Sequence, residues 1–525
     1  MVVDLRFENG TLSGSLGLPG LMALLVLLGA LAFTIRMLRK GGLHLPARFA
    51  RVPADFGLPD LWPPFFWTAV MLWVGLMLTL TAGLFGLIFE VLFHSVVRAG
   101  DSDAWNFRFL LAQMVALTGV LGAVVALPFT LLKLSLSRAQ TTTAQESLFN
   151  DKINATTTDL YAQRQISEEE RQVWQDDVLR RNAALDRLEA LVVERPQEAR
   201  RISRLLSVYI RELSREFPAQ THPYLQVFTL THPQGYSRPL KEEEAFYELG
   251  IQPADAELHA LSDWAEILRP VRSDMESAAQ ILGRLGGISG VDRRSLEIDL
   301  RHANLQGFHL NGSDFSGARL AFANTQGVRL NNAKLCNADL HRAQLQGARL
   351  ERANLEHASL DYAGLEVAVF DGARMTSANL NRSRLDEAYL CNADLRQCRL
   401  MSANLGAARL DGAVLTGARM DHANLSTAGL VGTQLDGVLL DQVRFSPSTA
   451  VKDATFKGSA LRLVNCSFSE FQQAQIDQAF GDASVRLGDL KRPTHWSDKT
   501  LSPDEFATEW HAYQRSIGMD PDDPT

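Results

Sequence analysis

Cysteine is scarce in this 525-residue chain: Cys336, Cys391, Cys398 and Cys466 are the only four. Their spacing makes neither a disulfide framework nor a metal-ligand set. So few thiols fit a reducing compartment. Basic excess is missing too. The 52 Lys and Arg face 60 Asp and Glu, for a net charge of -8, and that excludes the global basic footprint of a nucleic-acid binder. No Ser-His-Asp arrangement with a structural rationale, no phosphate loop and no zinc motif occurs. The glycines of 283–287 lack a preceding strand. His222 and His232 sit in two Thr-His-Pro tripeptides, where turn chemistry explains them and no further ligand stands at coordinating spacing. The expectation is a chain that is not an enzyme and that carries no cofactor and no metal.

What the N-terminal third does have is long apolar runs. Residues 21–38 carry one charge, Arg36, while 65–89 and 109–132 carry none. The last two are long enough to span a bilayer and the first is near the lower limit, so three transmembrane helices are expected. Lys and Arg set the orientation. Arg39, Lys40, Arg48 and Arg51 follow the first run, whereas only Arg98 and Arg108 follow the second. The N-terminus is then outside and everything after the third run is cytoplasmic. Glu90, at the outer end of the second run, is read as an interfacial residue, since an ion path needs ionisable groups within the spans.

Residues 138–295 are expected to form a helical linker domain. Ser167 and Glu170 form a capping-box pattern. Behind it Trp174, Val178, Leu185, Leu188 and Val192 recur at helical spacing until Pro196. A second helix carries Ile202, Leu205, Leu206, Tyr209 and Leu213 on one face, making a helical hairpin with the first. Ser273 and Glu276 open a third helix that runs through Leu285.

From 300 to 445 every fifth residue is large and apolar, with Thr325 the one exception. Neither a helix nor a flat strand has that period; a strict short repeat marks a solenoid. Five residues make one side of a coil and four sides close a square turn. The central residues Leu300, Leu305, Leu310, Phe315, Leu320, Leu330, Leu340, Leu350, Leu360, Phe370, Leu380, Leu390, Leu400, Leu410, Met420, Leu430 and Leu440 are assigned to the interior. The small residues two places earlier, such as Ala333, Ala338, Ala343 and Cys398, point inward as well. Residues twenty apart stack into ladders about 4.8 Å apart. Each coil bonds only to its neighbours, so both ends need caps.

Blocks such as Ala338-Asp339-Leu340, Ala353-Asn354-Leu355, Ala378-Asn379-Leu380 and Ala403-Asn404-Leu405 resemble the pentapeptide-repeat family, written A(D/N)LXX. That resemblance implies a right-handed quadrilateral β-helix and leaves activity open, because a fold does not fix a function. The segments 205–212 and 274–284 resemble the helical linker of bacterial membrane-anchored pentapeptide-repeat proteins. This implies a multi-pass protein of the bacterial inner membrane. The expected architecture is thus a membrane domain over 1–137, the α-helical linker over 138–295, the β-helix over 296–470, and a helical cap and tail over 471–525. The register is expected to break at 446–449 and resume shifted by one. A short helix over 471–480 and a longer one from Ser502, bearing Phe506, Trp510 and Tyr513, would close the rod.

A rigid rod of polar faces suits protein partners. The expected function is a membrane-tethered scaffold, with the lipid bilayer and an unidentified protein as partners and no nucleic acid. Arg349, Arg352, Arg382, Arg384, Arg396 and Arg399 are the candidate interaction surface. Sensing or transport by an assembly, with the rod as a device for homo-oligomerisation, is the alternative. Some soluble pentapeptide-repeat proteins mimic DNA and bind gyrase, which requires an acidic rod. Here 14 acidic residues face 15 basic ones between 300 and 445, so this reading ranks lower.

Overall fold

The computed structural model describes residues 3–5, 14–16, 29, 63–93, 101–168, 171–222, 229–231, 237–239, 255–467, 470–521 and 523. The chain divides into two compact units, Met1–Lys152 and Ile153–Thr525. Apart from Gly29 and Arg108, the first apolar run and the loop arginines and lysine that set the orientation lie outside the described residues, as does His232.

In the first unit, short strands β1 (Val3–Leu5) and β2 (Gly14–Leu16) pair antiparallel. Helix α1 spans Pro63–Phe93 and α2 spans Asp101–Leu160. Two stretches, Phe66–Phe89 and Phe107–Thr130, are long and apolar enough to cross a membrane. The third run expected at 109–132 is therefore part of a far longer helix. The Thr-rich segment after it, with Thr141–Thr143 and Thr156–Thr158, continues the same helix. Its threonines bond back to the preceding turn, as Thr141 Oγ1 does to Ser137 O at 2.8 Å, so their hydroxyls do not compete with the helix. Trp73 Nε1 donates to Val124 O at 3.1 Å and ties α1 to α2. A Cβ on Gly83 would stand 3.5 Å from Leu117, ordinary contact across that pair.

In the second unit the expected helix start at Ser167 is absent. Strands β3 (Gln163–Glu168) and β4 (Arg171–Asp176) form a hairpin there, with Ile166 opposite Val173. Helix α3 (Val178–Glu194) starts at Asp177, whose carboxylate accepts from Arg180 N at 3.1 Å. That satisfies a helix N-terminal donor. Helices α4 (Ala199–Glu216), α5 (Asp255–Ile267) and α6 (Ser273–Leu285) follow, along with a small β5–β6 pair at Thr229–Thr231 and Ser237–Pro239.

A buried ionic knot fastens this linker. Arg181, 4 % exposed, reaches Asp176 at 2.5 Å. Arg272 bonds both Asp176 and Asp274, and Tyr209 donates to Asp274 at 2.8 Å. Burial and the Asp274 carboxylate push the Tyr209 phenol far up, so it stays protonated. Every charge is paired, which such a site requires.

The rod begins at Leu300. Each side ends in a tight turn: Ala303 N donates to Leu300 O at 3.1 Å, and His302 between them has φ 59°. That is the dihedral pattern of a type II turn. Coils join through a parallel ladder of residues twenty apart, such as Asp299 with Arg319 and Arg319 with Asp339. All the central residues named above are buried. Thr325, the polar exception, donates to Gln344 O at 2.8 Å. After Phe445 the ladder spacing becomes twenty-one, as in Gly429 with Ala450. Thr449 fills the extra step and donates to Leu425 O at 2.9 Å.

The rod does not stop at 470. Strands β7 (Leu439–Asp441), β8 (Ala460–Arg462) and β9 (Phe480–Gly481) are parallel neighbours, and Asn465 pairs with Arg486. The short helix α7 is Gln473–Gln478, set within this added coil rather than over its end. Helix α8 (Pro503–Ser516) has the capping box at Ser502 and Glu505. Its aromatic face packs on the rod. Phe506 meets Phe480 at 5.2 Å, and Trp510 Nε1 and Gln514 Nε2 both donate to Gly458 O.

Candidate interaction surface

The two ends of the rod are occupied. At its start, α4 presents Ser203, Ser207 and Ser214 along one face. Their hydroxyls accept from the backbone N–H of Glu297 at 3.1 Å, Asp299 at 3.2 Å and Asn304 at 2.8 Å. From α6, Glu276 accepts from His309 N at 2.8 Å and Gly283 O from Asp314 N at 2.8 Å. Amide donors that the first coil would otherwise leave open are thereby satisfied. At the far end α8 lies on the last coils. Surfaces for a partner are the sides and corners.

One corner is covered. Helix α5 runs along Gly307, Gly327, Gly347 and Val367: Leu258 and Leu261 cluster with Val367, while a Cβ on Gly307 would fall 2.7 Å from the Leu268 carbonyl. One residue before these turn positions lies a buried polar row of Gln326, Gln346, Glu366 and Asp386. Burial and then the Glu366 carboxylate raise the Asp386 carboxyl well above its ordinary range.

The next corner is open and differently built. Its turn residues are His302, Phe322, Arg342, Tyr362, Arg382, Ser402, His422 and Gln442, all with positive φ and none glycine. A left-handed L-residue costs about 1–2 kcal/mol, and a bulky one there is a genuine outlier. Side-chain stacking offsets part of that cost. His302 stacks on Phe322 at 5.0 Å and 10°. The Arg342 guanidinium lies 5.8 Å from the Phe322 ring and 5.3 Å from the Tyr362 ring. Arg382 lies 5.3 Å from the other side of Tyr362 and donates to its hydroxyl. Beside the stack, His341 Nδ1 is 2.7 Å from Asp361. Such cation–π contacts give about 0.5–1 kcal/mol each at exposed sites. Phe322 is 39 % exposed. Past Arg382 a groove of about 500 Å³ opens, lined among others by Met401, Ser402, Arg419 and His422.

The six arginines singled out from sequence do not gather. Each belongs to a different ladder. Arg349 is 2.7 Å from Glu266 on α5. Arg384 is no surface residue: its side chain is 11 % exposed, and it binds the nearly buried Glu366 at 2.6 Å. Arg396 pairs with Asp394 at 2.6 Å, and holds that carboxyl below the usual range through its hydrogen bond. Arg352 and Arg399 are exposed, and Arg382 belongs to the stacked corner. Sequence reasoning missed Phe322, Tyr362 and His341. Reading residues in steps of twenty from His302 would have found the column. Thiol chemistry has no place at Cys398 or Cys466, since burial pushes both up to about 12 and the thiolate is the reactive form. Among the described residues no group of three His, Cys, Asp or Glu side chains converges as a metal site would.

Five-residue sides, left-handed corners and a parallel ladder every twenty residues define a β-solenoid with a square coil. Residues 297–446 match the family model of pentapeptide repeats in eight copies, so this stretch is a pentapeptide-repeat β-helix. Three solved structures share the likeness. HetL, a pentapeptide repeat protein involved in heterocyst differentiation regulation from the cyanobacterium Nostoc sp., is 25 % identical, over 39 % of this chain and 91 % of its own, with a TM-score of 0.18. Full-length QnrB1, a plasmid-mediated fluoroquinolone resistance protein, is 16 % identical over 40 % and 96 %, with a TM-score of 0.17. A pentapeptide repeat protein of the Arabidopsis thaliana thylakoid lumen is 24 % identical over 24 % and 67 %, with a TM-score of 0.10. No curated protein matches the chain.

Proposed function

We propose that this protein is a non-enzymatic, membrane-tethered scaffold of the bacterial inner membrane, offering its rod to a protein partner on the cytoplasmic side. Two features support the tether. Stretches 66–89 and 107–130 are long and apolar enough to cross a membrane, and many of their large side chains face outward, with Phe85 at 68 % and Val115 at 74 % exposure. In water such surface would drive aggregation; in lipid it is at rest. The open corner carries the rest of the reading. Phe, Tyr and Arg are side chains enriched at protein interfaces, and here they occupy left-handed turn positions that glycine adopts without strain. The rod's balanced charge disfavours DNA mimicry.

The test begins with native membranes. The full chain should stay in the pellet after alkaline carbonate. Extracted into lipid nanodiscs, it should carry a stoichiometric protein that is lost when Arg352, Arg382, Arg396 and Arg399 are all changed to Glu. Release by carbonate would end the tether. A discrete homo-oligomer with no second protein would favour sensing or transport instead.

A further inference from the structure

The open corner is a stack with one rung missing. From His302 to Arg382 each coil contributes a ring or a guanidinium to the column. The next coil contributes Ser402, and the one after it His422. The backbone ladder runs on through the gap: Arg382 N donates to Met401 O at 2.9 Å and Ser402 N to Asp421 O at 2.7 Å. The coils therefore keep their rise of about 4.8 Å, and Arg382 and His422 are set two rises, about 9.6 Å, apart. One planar group fits between them, with about 4.8 Å to either side. The groove of about 500 Å³ opens at this place, and Tyr362, Arg382, Met401, Ser402, Arg419 and His422 are among its walls.

Resting on the scaffold reading above, we infer that this gap is the anchor slot for an aromatic side chain, Trp above all, of the protein partner. Inserted there, the ring completes the column, lying between the Arg382 guanidinium and the His422 imidazole over Ser402. An indole is the best face for a cation. The electrostatics favour a neutral ring over a base on a phosphate chain. Arg382 and Arg419 in the wall are matched by Asp361 and Asp421, and Asp421 stands 3.5 Å from Arg419. A strand-tracking site instead needs an uninterrupted basic groove. Ser402 holds φ 57°, so a small residue is present at a corner where its neighbours are large, and that smallness creates the slot.

The experiment uses the full chain in nanodiscs and N-acetyl-tryptophanamide as probe, with saturation-transfer NMR as readout. Transfer to the indole protons is expected, and none to N-acetyl-leucinamide. Arg382→Ala, the loss of one cation–π face, and His422→Ala, the loss of one stacking face, should each weaken the probe about fivefold. Ser402→Phe fills the slot and should abolish binding. If Ser402→Phe fails to fold, the His422→Ala rim variant decides. Equal binding of the leucine analogue, undiminished binding by Ser402→Phe, or displacement by a dT12 oligonucleotide would each overturn the slot. The two readings fail separately. A membrane partner that persists on the Ser402→Phe chain sinks the slot and spares the scaffold. Absence of any partner beside a positive probe result does the reverse.

Discussion

Two corners of the rod share one backbone conformation and carry opposite side chains. At the covered corner, Gly307, Gly327 and Gly347 have φ between 62° and 69°. At the open corner, Phe322, Arg342 and Tyr362 have φ between 54° and 60°. The dihedrals therefore do not choose the residue. What lies outside the corner does. At Gly327 a Cβ would overlap the Ala265 carbonyl oxygen, and at Gly347 the Ala265 methyl. Glycine is present there for the close approach of α5. At the open corner, where no helix comes near, the turn bears rings and guanidiniums at left-handed positions that glycine adopts without strain. Gly307, Gly327 and Gly347 mark an internal contact, whereas Gly312 and Gly317 on other corners meet nothing and serve the turn alone; the bulky residues of the open corner mark a surface whose use lies beyond the fold.

The strongest way to break this contrast is to exchange the corners. Gly327→Leu pushes a side chain into α5 backbone, which no rotamer change relieves. Overpacking of this kind costs about 1–3 kcal/mol. The α5 amides should lose hydrogen-exchange protection by that amount while the amides of coils beyond 400 keep theirs. If α5 stays as protected as before, the close approach is not what selects glycine.

These corners also show what was legible in the sequence. The rod interior was legible because a period of five is one-dimensional: each central residue declares its own direction, and Leu350 or Leu390 needs no knowledge of a partner. The corners need two further facts. One is that residues twenty apart touch, which makes a column from His302 to Gln442. The other is that α5, distant in sequence, lies on one column and not on the next. Gly327 and Gly317 look alike in the sequence, yet a Cβ on the first would meet Ala265 of α5 and one on the second would meet nothing within 4 Å. The same limit hid the serines of α4, whose partners are amides some ninety residues on. It also produced the error at Ser167. That residue and Glu170 satisfy a local capping rule, but the backbone of 163–168 pairs across a hairpin with 171–176, Ile166 in register with Val173, and that pairing prevails.

Charge sharpens the contrast next. Asp386 lies in the buried row beside the covered corner, 4 % exposed. Burial first and the Glu366 carboxylate second raise its folded pKa, so the folded chain holds this proton more tightly than the unfolded one. The stability tied to that proton is complete below the ordinary carboxylate range, about pH 4, and drains as pH rises through the elevated folded value. Asp386→Asn removes the titration. Thermal unfolding should show the variant gaining on the parent as pH climbs from about 4 to 8. A gain that shrinks over that range would mean the carboxyl is ionised in the fold.

A smaller effect separates strain from contact at the open corner. Ser402→Gly relieves a left-handed turn at a position with no ring to lose. Part of the relief of about 1 kcal/mol is returned as chain entropy, because glycine is freer when unfolded. A net gain of about 0.5 kcal/mol is expected from denaturant midpoints. Phe322→Gly relieves the same strain but gives up the His302 and Arg342 contacts, so it should not gain. Equal gains at both sites would mean that the stack contributes nothing to stability.

A salt-dependent effect compares two arginines three residues apart. Arg349 points to α5 and pairs with Glu266, both side chains being substantially exposed at 43 % and 59 %. Arg352 stands on a different corner and is exposed. Exposed pairs contribute about 0.2–1 kcal/mol, and reversing one partner turns attraction into repulsion of similar size. Arg349→Glu should thus lower α5 protection by up to about 1 kcal/mol, and more so at low salt, where screening is weak. Arg352→Glu should stay within about 0.5 kcal/mol of the parent at any ionic strength, as surface changes away from special features do. Were the two reversals to behave alike, Arg349 would be an ordinary solvated charge, and α5 would hold to its corner by the packing of Leu258, Leu261 and Ala265 alone.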